Sequence, residues 1–185
     1  GPISPLEFIP LAEQTGLILP LGRQVMQNAC EQLVRWAGSA ETAHLSIAVN
    51  VSARQFRQLD FVAQVLDVLA ETGASPYRLK LELTESMLLG DIEEAIERMV
   101  QLKREGVGFA LDDFGTGYSS LGYINKYPFG KIKVDRSFVS GIHQGKKSRA
   151  IIRAVSGMGA TLGMEIVAEG LETLEQVSVD RKSVV

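Results

Sequence analysis

Polar residues able to hold a cation or handle charge recur at one place in this chain, the end of each short apolar run. Asn50 ends Ile47-Ala48-Val49, Glu82 ends Leu79-Lys80-Leu81, and the pair Asp112-Asp113 ends Phe109-Ala110-Leu111. Lys133 sits near the end of Lys131-Ile132, and Glu169 closes Ile166-Val167-Ala168. Four carboxylates, a carboxamide and an amine make a hard-oxygen set of the kind that suits Mg²⁺ or Mn²⁺. So many negative charges repel one another unless cations sit between them. Zinc is a poor match. Cys30 is the only cysteine, and neither His44 nor His143 has a second histidine at ligand spacing.

Each residue also has a bland explanation. Asn50 can cap a turn at Ser52, the aspartate pair can cap a helix, Lys133 can be a solvated strand residue, and Glu169 before Gly170 can simply end a strand. What argues for a site is that all of them fall at the same end of five successive strands. Glu85 needs a separate account. It lies three residues after Glu82, and positions three apart on an extended strand point to opposite faces. It is therefore expected to hold a neighbouring loop, that of Gly115 and Gly117, through backbone N–H groups, while Glu82 serves as the ligand.

The elements that must position these residues alternate. Pro5 to Thr15 reads as a helix with Leu6, Ile9 and Leu11 to pack and Gly16 to end it. Leu21 to Trp36 reads as a longer amphipathic helix, with Leu21, Val25, Ala29, Leu33 and Trp36 at helical spacing and Cys30 and Trp36 in the core. Strands are expected at 45–51, 78–83, 107–111, 131–134 and 165–168, with helices at 61–71, 92–105 and 148–162. A Gly-rich loop and a short helix are expected between the third and fourth strands. Such alternation implies parallel strands joined by right-handed crossovers in one domain, residues 1–185. An open doubly wound sheet and an α/β barrel both fit. No Gly-rich phosphate fingerprint follows the first strand, which weakens the first, and a barrel needs eight strands. Either the sheet is open or three strands are missing.

Composition narrows the partners. The chain has 185 residues, 45% hydrophobic and 22% charged, an ordinary globular balance. A net charge of −3 gives no counterion-release argument for polymeric nucleic acid. No apolar run approaches the roughly 20 residues of a membrane span, so no membrane contact by this domain is expected. A lone cysteine fits a reducing, cytoplasmic setting.

In ordered segments the chain resembles the EAL-domain cyclic di-GMP phosphodiesterases, from about residue 4 to about 176. The segments are Ser4 to Glu13, Asn50-Val51-Ser52-Ala53-Arg54-Gln55-Phe56, Glu82-Leu83-Thr84-Glu85, Asp112 to Ser120, Lys131-Ile132-Lys133-Val134-Asp135, and Val167 to Thr173. The resemblance implies a modified TIM-like (β/α)₈ barrel with two divalent cations, Mg²⁺ or Mn²⁺, at the strand ends. It assigns metal ligation to Asn50, Glu82, Asp112 and Asp113, with Glu169 also at the metal. It implies that Lys133 orients or activates the attacking water and that Asp135 is a further substrate-side position. The loop from Asp113 to Ser120 is implied to order the metal site and to communicate with a homodimer interface. The implied reaction is hydrolysis of cyclic di-GMP to linear pGpG, in a protein expected to carry sensory or GGDEF-type domains as well. Two cations in such a site activate water and brace phosphoryl charge.

Two departures stand out. The Glu-Ala-Leu motif and the arginine just after it would fall before Gly1, and residues 177–185 do not resemble the expected helix and strand. A partial domain with about five of eight strands is therefore expected, inactive by itself. The competing expectations are a catalytically degenerate EAL-like module that binds nucleotide or a protein, and a Mg²⁺-dependent barrel lyase. The complete set from Asn50 to Glu169 favours the hydrolase over the first, and the paired aspartates with their Gly-rich loop argue against the second.

Overall fold

The computed structural model describes residues 3–88, 91–115, 124–140 and 146–171, except the side chains of 139–140 and 146–149. Among the described residues five strands, β1 (Ile47–Asn50), β2 (Leu79–Thr84), β3 (Gly108–Phe114), β4 (Lys131–Val134) and β5 (Glu165–Ala168), follow one another in the sheet in chain order. Helices α1 (Pro5–Thr15), α2 (Ile18–Ala37), α3 (Ala53–Phe56), α4 (Phe61–Thr72), α5 (Ile92–Arg104), α6 (Arg136–Ser140) and α7 (Lys146–Leu162) alternate with them. The class is α/β with parallel pairing, as expected. The chain divides into two compact units, residues 1–83 with 93–108 and residues 84–92 with 109–185.

In the first unit, α1 is started by Ser4, whose Oγ accepts the Leu6 N–H, with Pro5 at the first helical position. It stops at Gly16, where φ is 84°, a backbone region open to glycine at little cost. Its packing corrects the expectation. Leu6 is 88% exposed and Leu11 60%, and Ala12 is the one buried residue of the helix. Helix α2 begins three residues earlier than Leu21, because Pro20 falls in the first turn, where its missing N–H has no helical partner anyway. The buried stripe is then Ile18, Met26, Cys30 and Leu33, leaving Val25 exposed and Trp36 half-buried. Arg23 of α2 makes a two-pronged contact with Glu71 of α4 at 2.9 and 3.0 Å. β1 pairs with β2 in the register Ile47↔Leu79 to Asn50↔Glu82. Along β2 the residues alternate, with Leu79, Leu81 and Leu83 wholly buried and Lys80 and Glu82 half-buried.

In the second unit, β4 pairs with β5 from Lys131↔Glu165 to Val134↔Ala168. Ile132 and Val134 turn to the core, where Ile152 and Val155 of α7 also lie buried. β3 is longer than its apolar run suggests. It continues through Asp112 and Asp113 to Phe114, and its pairing with β4 shifts between Leu111↔Ile132 and Phe114↔Val134. Two residues, the aspartates, thus stand opposite one, Lys133. That is a β-bulge, a feature that re-aims side chains beside functional sites. β1 and β2 differ from expectation by one to two residues at their ends, while β4 and β5 fall where expected. The expected Gly-rich loop beyond Gly115 lies outside the described residues.

Candidate functional site

Asn50 is the last residue of β1 and stands directly across from Glu82 in the parallel register. The next residue, Val51, donates its N–H to the Glu82 carbonyl at 3.1 Å, so the pairing extends one step past the strand. Asn50 is exposed and Glu82 half-buried. Neither needs to serve as a helix cap. That task falls to Ser52, whose Oγ accepts the Gln55 N–H while Gln55 Oε1 accepts the Ser52 N–H, a reciprocal capping box.

In the second unit the bulge governs the geometry. Adjacent residues of a regular strand point to opposite faces, which would separate Asp112 from Asp113. Here Asp113 adopts φ 52°, the only described non-glycine residue with positive φ, and its N–H donates to Asp112 Oδ1 at 3.0 Å. Asp112 is buried and its Oδ1 lies 3.0 Å from Lys133 Nζ. The same ammonium lies 2.9 Å from Glu169 Oε1. Glu169 directly follows β5, and its N–H donates to the Val134 carbonyl at 3.1 Å. The lysine is thus gripped by carboxylates from two other strands.

The charge around Asp113 is unbalanced. Loss of hydration pushes its carboxyl above the ordinary aspartate range, and the charges of Asp112, Asp135 and Glu169 push it further, against the pull of Lys133. Asp135 behaves in the opposite way. Its Oδ1 accepts the Ser137 N–H at 2.9 Å at the start of α6, and the hydrogen bonds from Ser137 hold its carboxyl below the usual range. Glu85 begins the 3₁₀ turn Glu85–Leu88 just past β2 and is 8% exposed. Its Oε2 accepts the Gly115 N–H at 3.5 Å, a long bond to the second residue past the bulge. Tyr127 secures the same turn by donating its hydroxyl to the Leu88 carbonyl at 3.3 Å.

Asp112, Lys133 and Glu169 therefore meet, Asp113 and Asp135 share their electrostatic surroundings, and Glu85 touches the backbone beside them. Asn50 and Glu82 form their own adjacent pair. Among the described residues no three acidic, histidine or cysteine side chains are gathered as a metal cage. The donors themselves still fit a hard divalent cation. They are carboxylate and carboxamide oxygens, and the repulsion that adds to lost hydration in raising Asp113 is what such a cation relieves. Sequence reasoning passed over two features, the bulge and the buried Gln55. The first has no composition signal beyond the aspartate pair, and the second was legible as Ser52-x-x-Gln55.

Known proteins carry the same architecture. The bifunctional diguanylate cyclase/cyclic di-GMP phosphodiesterase MucR of Pseudomonas aeruginosa is 42% identical over 176 residues, covering 95% of this chain and 26% of MucR. A solved structure described as the PaMucR phosphodiesterase in complex with c-di-GMP superposes with a TM-score of 0.93 at 40% identity, over 98% of this chain and 73% of that one. A manganese/cy-diGMP complex of Klebsiella pneumoniae BlrP1 gives a TM-score of 0.74 at 27% identity, over 88% of this chain and 42% of that one. The chain spans about a fifth to a quarter of the length of the curated relatives it matches. The family model for the EAL domain matches residues 1–183, and the chain belongs to the EAL-domain family, with its TIM-like α/β fold.

Proposed function

We propose that this domain hydrolyses cyclic di-GMP to linear pGpG in bacterial second-messenger signalling. The observation that carries the reading is Lys133 held between Asp112 and Glu169 at 3.0 and 2.9 Å, beside an Asp113 carboxyl raised by lost hydration and then by neighbouring charges. Family membership and the relatives named as cyclic di-GMP phosphodiesterases support the substrate. In this reading Asn50, Glu82, Asp112, Asp113 and Glu169 are the ligands of two divalent cations, Mg²⁺ or Mn²⁺. The cations supply Lewis-acid charge for water activation and for the phosphoryl oxygens.

The chain's own residues do the rest. Water oxygen bonds to phosphorus, the P–O3′ bond breaks, and one proton passes to the departing 3′ oxygen, so one water is consumed per ring opened. Lys133, fixed by two carboxylates, offers its ammonium to the charge that develops on the attacked phosphate and on the water. Glu85 holds the backbone at Gly115, and so the bulge that aims Asp113. Asp135, its charge favoured by Ser137, is placed on the substrate side. A homodimer, attached sensory or GGDEF-type domains and a cytoplasmic setting belong to the same proposal. The described residues include no helix long and apolar enough to cross a membrane.

Incubation of the full-length protein with cyclic di-GMP and Mn²⁺, with pGpG followed by chromatography, tests the reading. Binding of cyclic di-GMP without turnover in either metal would point instead to a degenerate nucleotide-binding module.

A further inference from the structure

We infer that Gln55 is a positioning residue for Asn50, held in its working orientation by the bare backbone of Gly22 on α2. The inference rests on the reading of Asn50 as a metal ligand.

Asn50 ends β1, and its backbone is fixed on one side by the pairing with Glu82 and by the Val51 N–H on the Glu82 carbonyl. On the other side the chain turns at Ser52 into α3, which has only four residues. A helix that short does not hold itself, since nucleation is costly and each added residue contributes a single bond. Gln55 supplies the missing restraint. Its Oε1 accepts both the Ser52 N–H at 3.1 Å and the Ser52 hydroxyl at 2.9 Å, and its own N–H returns to Ser52 Oγ at 3.2 Å. Ser52 is thereby locked two residues from Asn50.

Gln55 is 8% exposed, and its carboxamide ends against α2. A Cβ on Gly22 would lie 1.8 Å from Nε2 and 2.3 Å from Cδ. Glycine inside a helix costs about 1 kcal/mol relative to alanine, so helix propensity does not explain Gly22, whereas this close approach does. The neighbours of Gln55 anchor α3 further. Phe56 is buried edge-on to Phe61 with centroids 5.5 Å apart, and the Arg98 guanidinium lies 6.0 Å from the Phe56 ring. Arg54 reaches the Glu13 and Gln14 carbonyls at the end of α1. All of this rigidity is spent on a turn whose other end is Asn50.

The test is Gly22→Ala in the whole protein, read by Mn²⁺ affinity and by thermal unfolding in chelator. A purely structural glycine would show its effect in unfolding alone. The expected result is a loss of Mn²⁺ affinity of about tenfold, the scale of outer-shell substitutions at metal sites. The loss should vanish when Gly22→Ala is placed on Asn50→Ala or on Gln55→Ala. Ser52→Ala, which leaves α2 untouched, should lower affinity in the same way and serves if Gly22→Ala does not fold. Wild-type affinity in folded Gly22→Ala and Ser52→Ala, or an equal loss in the Asn50→Ala background, would overturn the inference. An unchanged affinity in Asn50→Ala itself would instead remove Asn50 from the metal, and the inference with it.

Discussion

Lys133 of β4 and Glu169, the residue just past β5, face each other with Nζ and Oε1 2.9 Å apart, while Lys131 and Glu165 on those two strands form a second pair at 3.2 Å. The pairs look alike and are not. The side chains of Lys133 and Glu169 are 15% and 36% exposed, those of Lys131 and Glu165 39% and 64%. Exposed pairs are worth about 0–1 kcal/mol. Lys133→Met is expected to lower kcat by about 10²–10⁴-fold with little change in Mn²⁺ affinity, the range of a positioned group acting on transition-state charge. Lys131→Met should stay within about twofold of wild type. Steady-state turnover of the two variants checks both, and a raised KM at unchanged kcat in Lys133→Met would make the lysine a phosphate clamp.

Asp113 is expected to trade stability for function. Its carboxylate is pushed up by lost hydration and three neighbouring carboxylates, so in the folded state its charge is disfavoured. Asn at this position keeps the size, removes the charge and tolerates φ 52° as well as Asp does. In chelator, Asp113→Asn should melt higher, by a small margin because water screens the repulsion at this exposed side chain. With Mn²⁺ present, it should bind metal more weakly and turn over substrate poorly. Melting curves with and without Mn²⁺ decide it, and a lower melting point in chelator would contradict the repulsion.

Glu82 and Glu85 should fail differently. Glu82→Gln is expected to weaken Mn²⁺ binding directly, by about 10-fold or more. Glu85→Gln should leave most metal affinity but loosen the backbone at Gly115, lowering kcat at saturating metal and admitting protease there. Metal titration with limited proteolysis separates the two, and equal losses of affinity with equal protection would erase the distinction.

Cys30 offers a probe of opening. It is wholly buried, and burial pushes its thiol above the ordinary cysteine range. Thiolate is the reactive form, so native protein near pH 8 should react with a maleimide only through local or global unfolding. Labelling should be at least ~100-fold slower than in denaturant. Rapid labelling of the native protein would show α2 undocking from its neighbours.

Much of this was legible in the residues. Apolar runs such as Leu79-Lys80-Leu81 and Ile166-Val167-Ala168 announce strands, and the polar residues at their ends identify the candidates. The strand boundaries were less legible where strands end in charge. Nothing in Asp112-Asp113 says that β3 continues through them, because a bulge is a relation between two strands and not a property of one. α1 misled for a related reason, since the apolar Leu6 and Leu11 match a helix but only the tertiary surroundings decide which side is covered. Ser52-x-x-Gln55 is a recognisable capping box, yet a four-residue helix has no periodicity to draw attention to it. Strand parity separates Glu85 from Glu82, whereas the bond from Gly115 to Glu85, already in a 3₁₀ turn, is a contact between distant segments that no strand pattern states.

The alternation along β2 has a consequence for how errors are avoided during folding. Leu79, Leu81 and Leu83 are fully covered while Lys80 and Glu82 keep contact with water. Sliding this strand by one residue against β1 would exchange the two sets, burying an ammonium and a carboxylate and wetting three leucines. Mispairing is thus rejected by solvation alone, before any ligand is present to reward the right answer. The proofreading that selects the strand's phase is the same that brings Glu82 level with Asn50, so a chain able to complete this sheet has already aligned two of its five proposed ligands.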